Sequence, residues 1–188
     1  MRISRRSLPA LLSLGALTAA AVVVVAPRSS AQDAPAQEQS PQERFNGTWR
    51  YNGSASHGRN IIEQAITRAV DGMNFITQPI ATGRLRDKNP LVQRIEVALT
   101  TSDCRVVFDG SRTYRAPLNT WTEHRFDGDT FQVEFRHRDD SIVQLFRSDG
   151  GTRRNVYRLL PDGHMRLEVT VQSGSLPRSM SYRLTYRR

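Results

Sequence analysis

The sequence predicts a mainly β fold: an antiparallel up-and-down meander of about eight to ten strands that closes into a barrel, with one amphipathic helix between the first two strands. Apolar residues alternate with polar ones from Leu91 onward, and turn-forming pairs separate the alternating runs. These two patterns are typical of strands with one buried and one solvated face. A single helical pattern interrupts the series near its start.

The predicted strands are runs in which every second residue is apolar. The clearest runs cover residues 95–99, 131–135, 165–171 and 180–186. Asp-Gly pairs between runs supply the positive backbone dihedral angles that tight hairpins need. The turns are Asp109-Gly110, Asp127-Gly128, Asp139-Asp140, Asp149-Gly150-Gly151 and Pro161-Asp162-Gly163. Hairpins at such regular intervals place sequential strands side by side, so we expect a meander.

Residues 60–76 have the three-and-four spacing of an amphipathic helix. The apolar positions are Ile62, Ala65, Ile66, Ala69, Val70, Met73 and Ile76. Asn60 and Glu63 offer a capping box at the start, and Pro79 helps to end the helix. An apolar stripe needs a surface to cover. We therefore expect this helix either to lie across the barrel as a lid or to be part of the core.

The first residues have the order of a secretory signal: positive charges, then an apolar run at 8–26, then small residues up to Ala31. We expect cleavage after Ala31, with a site after Ala26 as the poorer alternative and a retained anchor as the rival interpretation. Arg5-Arg6 resembles a twin-arginine signal, but the general secretory route is favoured. No cysteine lies in or just after the apolar run, which argues against a lipid anchor.

The chain is expected to divide into three segments. The expected organisation is a signal peptide at 1–31, a disordered linker at 32–44 and one barrel domain at 45–188. The product should be periplasmic or secreted, with no stable membrane anchor after signal cleavage.

The formal net charge of +9 includes four arginines that leave with the signal. Nucleic acid is a poor candidate partner for an exported protein. Cys104 is the single cysteine, so the barrel must be stable without an intrachain disulfide.

The segment Phe45-Asn46-Gly47-Thr48-Trp49 is the most informative short motif. It resembles the first strand of the calycin superfamily, the lipocalins and fatty-acid-binding proteins. The resemblance implies a lipocalin-like barrel that holds a small apolar ligand. It also implies that Trp49 closes the barrel base beneath an arginine from the final strand, for which Arg183, Arg187 and Arg188 are the candidates. The carboxylate-binding Arg-x-Tyr pair of fatty-acid-binding proteins is missing, because the chain end reads Tyr182-Arg183-Leu184-Thr185-Tyr186.

The function predicted first is non-catalytic binding of a small hydrophobic ligand inside the barrel. The interior candidates are Met73, Phe131, Val133, Phe135, Met165, Leu167, Tyr182 and Tyr186. These side chains could also nearly fill the barrel, in which case its outer face would bind an envelope component or a protein. An enzyme is the third alternative. No cofactor is expected, because the histidines lie at no metal-ligand spacing and no activated nucleophile is visible.

Six arginines could form a basic patch on adjacent hairpins. They are Arg136, Arg138, Arg147, Arg153, Arg154 and Arg158. Such a patch could attract lipid headgroups, an anionic polysaccharide or an acidic protein. The alternative is a solvated face in which these arginines are interleaved with carboxylates, and this interpretation is favoured.

Overall fold

The computed structural model describes residues 41–188. The predicted signal peptide and most of the predicted linker lie outside the described residues. Ten strands form one antiparallel sheet in a meander, and three helices accompany them. The helices are α1 (Pro41–Phe45), α2 (Ala55–Val70) and α3 (Thr77–Lys88). The strands are β1 (Gly47–Tyr51), β2 (Arg94–Leu99), β3 (Asp103–Phe108), β4 (Arg112–Pro117), β5 (Thr122–Phe126), β6 (Asp129–Arg138), β7 (Ser141–Ser148), β8 (Gly151–Leu159), β9 (Met165–Gln172) and β10 (Met180–Arg187).

The sheet closes on itself almost completely. The order of hydrogen-bonded strands is β4-β3-β2-β1-β10-β9-β8-β7-β6-β5, so each strand lies beside its sequence neighbour and β10 returns to β1. Between β4 and β5 no ladder is formed. Directly after β4, an isolated parallel bridge joins Leu118 to Phe135 of β6. The fold is the predicted meander barrel, with a gap between β4 and β5.

The predicted single helix is replaced by two. α2 begins five residues earlier than predicted, because Ser54 caps it by accepting a hydrogen bond from the His57 backbone N–H at 3.2 Å. It ends at Val70, since Gly72 follows with φ of +89°. The apolar stripe was predicted correctly up to that point. Six residues of α2 are buried on the barrel core: Gly58, Ile62, Ala65, Ile66, Ala69 and Val70.

No pattern in the sequence predicted α3. Its apolar positions show little helical periodicity, and only Leu85 is buried. Pro79, interpreted as a helix stop, lies in the first turn of α3, where a missing N–H costs nothing. Asn74 starts this helix by accepting hydrogen bonds from the backbone N–H groups of Ile76 and Thr77 at 3.1 and 2.9 Å. Ile76, predicted to be on the buried stripe, is instead 63% exposed.

The two ends of the barrel are different. One end carries α2, α3 and the β5–β6 and β7–β8 hairpins, and we call it the helix end. The other carries α1, whose Phe45 is buried in the core. Residues 41–44 of the predicted linker belong to α1. No helix within 41–188 is both long and apolar enough to cross a bilayer.

Candidate functional site

Most of the predicted interior residues do face inward and are buried. This holds for Val133, Phe135, Met165, Leu167, Tyr182 and Tyr186. Phe131 and Met73 pack against this core but are only partly buried. Two open surface depressions, of about 390 and 370 Å³, lie beside the β9–β10 loop and along α2. Neither depression is lined by a predicted interior residue.

The barrel interior also contains polar side chains that were not predicted from the sequence. Gln144 of β7 and Asn155 and Tyr157 of β8 are fully buried, and we call these three residues the polar row. The Gln144 Oε1 atom accepts hydrogen bonds from the Tyr157 hydroxyl at 2.6 Å and from Asn155 Nδ2 at 3.0 Å. Burial raises the pKa of Tyr157 far above its ordinary value. The tyrosine is therefore a neutral donor at all physiological pH values.

One atom of the polar row has no partner. Gln144 Nε2 is buried and makes no hydrogen bond with any described residue. A buried donor left unsatisfied costs about 1 to 3 kcal/mol. The amide group therefore weakens the fold unless something else accepts its hydrogen bond. Period-two alternation could have found this residue, because Ile142, Gln144 and Phe146 form an inward set with one polar member.

Arg153 connects the polar row to the end of α3. It was predicted to belong to an outer patch, but β8 directs it inward together with Asn155 and Tyr157. Its Nε donates to Asn155 Oδ1 at 2.9 Å, and its Nη1 donates to Asn89 Oδ1 at 2.9 Å. The adjacent Lys88 forms an ion pair with Asp129 of the β5–β6 hairpin. We call Lys88, Asn89, Asp129 and Arg153 the α3 latch.

An aromatic cluster lines the barrel wall beside the gap between β4 and β5. Its members are Tyr114, His124, Phe131 and Phe146. The centroids of Tyr114 and Phe146 are 5.1 Å apart, and His124 stacks on Phe131 at 6.2 Å. His124 also spans the gap, because its Nε2 lies 3.0 Å from the backbone oxygen of Arg115. Phe131 and Phe146 are only partly buried, so two apolar rings of the interior are incompletely covered here.

Trp49 lies at the opposite end and is 1% exposed. Its Nε1 donates to the backbone oxygen of Phe45 at 2.9 Å, and the Arg188 guanidinium lies 4.9 Å from the ring centroid. The structure therefore places Arg188 over the ring. Arg183 and Arg187, the other two candidates, point outward on β10, and Arg183 instead approaches Glu168 at 3.6 Å. Side chains alternate along β10, so Arg183 and Arg187 point outward because Leu184 and Tyr186 occupy the inward positions.

The six-arginine patch does not form as one surface. Arg136 forms a bidentate pair with Glu134, Arg147 lies over the Trp121 ring at 4.1 Å, and Arg153 points inward. Arg158 approaches Asp140 at 3.5 Å. The favoured interpretation, a solvated face with interleaved charges, fits these contacts.

Two further observations concern the reactivity of the cysteine thiol and the presence of metal-ligating groups. Cys104 is fully buried, and its burial raises the pKa of the thiol to about 12, so it is protonated at neutral pH. Within residues 41–188, no group of three or more His, Cys, Asp or Glu side chains could hold a metal ion.

Comparison with known proteins finds similarity between this chain and solved structures only. No family model matches the chain, and no curated protein does. The fluorescent protein UnaG is 15% identical, with a TM-score of 0.47 over 78% of this chain and 98% of that one. A Schistosoma mansoni fatty acid binding protein in complex with arachidonic acid is 12% identical, with a TM-score of 0.47 over 79% of this chain and 98% of that one. Secretory abundant heat soluble protein 4 from Ramazzottius varieornatus is 12% identical, with a TM-score of 0.46 over 77% of this chain and 94% of that one.

Fatty-acid-binding proteins are among the calycins that the motif from Phe45 to Trp49 resembles. Identities this low carry no function to this chain.

Proposed function

We propose that the chain binds a small, mainly apolar molecule without converting it, inside the barrel between the aromatic cluster and the polar row. The observation that carries this proposal is the unpartnered Nε2 of Gln144, a buried donor inside the barrel. A ligand with a carbonyl, carboxylate or hydroxyl oxygen would accept its hydrogen bond. The ligand's apolar part would lie against the partly buried rings of Phe131 and Phe146.

Access would come from the helix end. α3 buries one side chain, Leu85, and is held mainly by polar contacts: the α3 latch and a bidentate pair between Arg86 and Glu63. Lys88 and Asp129 are both more than half exposed, and ion pairs of this kind contribute little to stability. The lid predicted at residues 60–76 is therefore better assigned to α3, because α2 buries six residues on the core.

We also propose that the protein works outside the cytoplasm. The order of charges, apolar run and small residues in 1–31 supports this. Amino-terminal sequencing of material recovered outside the cytoplasm tests it, with Gln32 expected as the first residue. Full-length chain in the membrane fraction would contradict it.

The ligand proposal is tested with three compounds of one chain length: a fatty acid, the matching alcohol and the matching alkane. We expect native mass spectrometry to show one bound molecule of the acid or alcohol. Gln144→Leu should weaken binding of these two by about tenfold, or about 1.4 kcal/mol, while the alkane binds equally to both proteins. Gln144→Leu should be less stable than the parent by about 1 to 3 kcal/mol, because it removes one unsatisfied donor but leaves the Tyr157 hydroxyl and Asn155 Nδ2 without their acceptor.

Gln132→Leu is the matched control, since Gln132 of β6 points outward and accepts a hydrogen bond from Arg147. It should leave all three affinities unchanged. Absence of any bound compound at high micromolar concentration would contradict the proposal and favour a filled barrel.

Hydrogen exchange tests the role of α3. We expect its amide hydrogens to exchange at least about tenfold faster than those of β9, because few apolar contacts hold the helix closed. Bound fatty acid should slow this exchange. Arg153→Gln should accelerate it by removing the contact with Asn89, whereas Arg154→Gln, the outward neighbour, should not. Equal protection of α3 and β9, insensitive to ligand, would show that α3 is a fixed part of the core.

A further inference from the structure

Two Asn-Gly pairs flank β1. Asn46-Gly47 lies at its start, and Asn52-Gly53 follows its last residue, Tyr51. In such a pair the backbone nitrogen of glycine can attack the Cγ carbon of the asparagine side chain, because glycine has no Cβ to restrict the backbone or hinder the approach. The two pairs have the same covalent chemistry. Any difference between their reactivities must therefore come from the fold.

Asn46 is held in place by the neighbouring strand. Its Oδ1 accepts a hydrogen bond from the Leu99 backbone N–H at 2.6 Å, and its Nδ2 donates to the Leu99 backbone oxygen at 3.1 Å. Gly47 is paired with Val97 in the β1–β2 ladder. The side-chain amide of Asn46 can turn toward the Gly47 nitrogen only after its hydrogen bonds to β2 have broken. The fold therefore protects this pair for as long as the ladder stays closed.

Asn52-Gly53 has no such restraint. Both residues are exposed and lie outside the helices and strands. Within residues 41–188, neither the Asn52 side-chain amide nor the Gly53 backbone N–H has a hydrogen-bond partner. The backbone N–H of Asn52 donates to the Thr185 backbone oxygen at 2.8 Å, which fixes the chain just before the reacting atoms but not those atoms themselves. Water and hydroxide can reach both reacting groups.

We propose that Asn52 is a site of spontaneous deamidation through a succinimide formed with Gly53. The Gly53 nitrogen loses its proton to hydroxide and forms a bond with Asn52 Cγ, while the bond from Cγ to Nδ2 breaks and ammonia leaves with a proton from water. Water then adds to one of the two ring carbonyl carbons, and the ring opens at that carbon–nitrogen bond. The products are aspartate and isoaspartate at position 52. Water is the only co-reactant.

The modification would change the joint between β1 and α2. Ser54 caps α2, because its side chain accepts from the His57 backbone N–H at 3.2 Å and its backbone oxygen accepts from the Gly58 N–H at 3.1 Å. An isoaspartate adds one carbon to the backbone between position 52 and Gly53, while position 52 stays tied to β10. We expect the added length to weaken the cap and to loosen the first turn of α2.

The test follows the folded protein in mildly alkaline buffer by peptide mass spectrometry. Trypsin cleavage at arginine separates the two Asn-Gly pairs into peptides 45–50 and 51–59. We expect peptide 51–59 to gain the mass of an amide-to-acid conversion at least about tenfold faster than peptide 45–50, because Asn46 reacts only from an opened state. Electron-transfer fragmentation should find isoaspartate as well as aspartate at position 52.

Two controls separate the effect of the fold from that of the local sequence. Asn52→Gln should abolish the mass gain in peptide 51–59 and leave peptide 45–50 unchanged, because glutamine forms its larger ring far more slowly. Guanidinium chloride should make the two native pairs react at similar rates, since the contacts with Leu99 are then lost. Similar rates in the folded protein, or aspartate without isoaspartate at position 52, would overturn the proposal.

Hydrogen exchange tests the effect on α2, with the isoaspartate form separated by chromatography. The amides of His57 and Gly58 should exchange faster in this form than in the unmodified protein, whereas those of β9 should be unchanged. Equal exchange of His57 and Gly58 in the two forms would overturn the proposed loosening of the helix. None of these outcomes depends on binding in the interior of the barrel.

Discussion

Replacement of Trp49 by alanine should lower the free energy of unfolding by about 3 to 5 kcal/mol, the usual cost of emptying a large aromatic site in a core. The side chain is 1% exposed and donates from Nε1 to the Phe45 backbone oxygen. It also supports the Arg188 guanidinium, which hydrogen-bonds the backbone oxygens of Arg44 and Asn46. The loss should therefore extend to α1. Urea unfolding followed by circular dichroism measures it.

Trp49→Phe is the control for this prediction. It keeps most of the ring but removes the hydrogen bond to Phe45, so we expect a loss of about 1 kcal/mol. Neither substitution should selectively weaken ligand binding, because Trp49 lies at the end of the barrel opposite the aromatic cluster. An unchanged unfolding midpoint for Trp49→Ala would mean that the ring does not close the barrel base in solution.

Gly151→Ala is expected to have the other large effect, a loss of about 3 kcal/mol. Gly151 begins β8 with φ of +140°, a conformation that side chains rarely adopt. A Cβ atom there would lie 2.2 Å from the backbone oxygen of Gln172. That oxygen belongs to β9, so the clash can be relieved only by shifting the β8–β9 ladder. The same unfolding measurement applies.

Gly163→Ala is the control that distinguishes the cost of a positive φ from the cost of the steric clash at Gly151. Gly163 also has a positive φ, +80°, but no atom lies within 4 Å of a Cβ placed there. Only the intrinsic cost of the left-handed conformation remains, about 1 to 2 kcal/mol. If the two variants lose the same stability, the approach of Gly151 to Gln172 is not rigid. A larger loss for Gly151→Ala would show that the β7–β8 turn is fixed by backbone contact.

The polar row shows how far a pattern can be interpreted from sequence. Alternation in β7 and β8 places Gln144, Asn155 and Tyr157 on the inward face, and this much is visible in the chain itself. It does not reveal that Gln144 Nε2 lacks an acceptor, because that depends on how the two strands and their neighbours meet. Arg153 illustrates the same limit, since its partner Asn89 lies 64 residues away.

The sequence by itself determined the meander, the alternating faces, the hairpin turns and the buried position of Trp49. These follow from local rules: period two in strands, Asp-Gly in turns, and an apolar residue at each inward place. It also located most of the α2 stripe. It did not reveal α3, because that helix buries one residue and is held by polar contacts with distant strands.

Only the tertiary structure decided which charged side chains become neighbours. Arg50, Arg94 and Arg187 are far apart in the chain and meet because β1 lies between β10 and β2. The arginines of the predicted patch are close in sequence, yet four of the six contact four separate partners: Glu134, Trp121, Asn89 and Asp140. Register between strands sets these contacts, and register depends on the packing of the whole barrel rather than on any single segment.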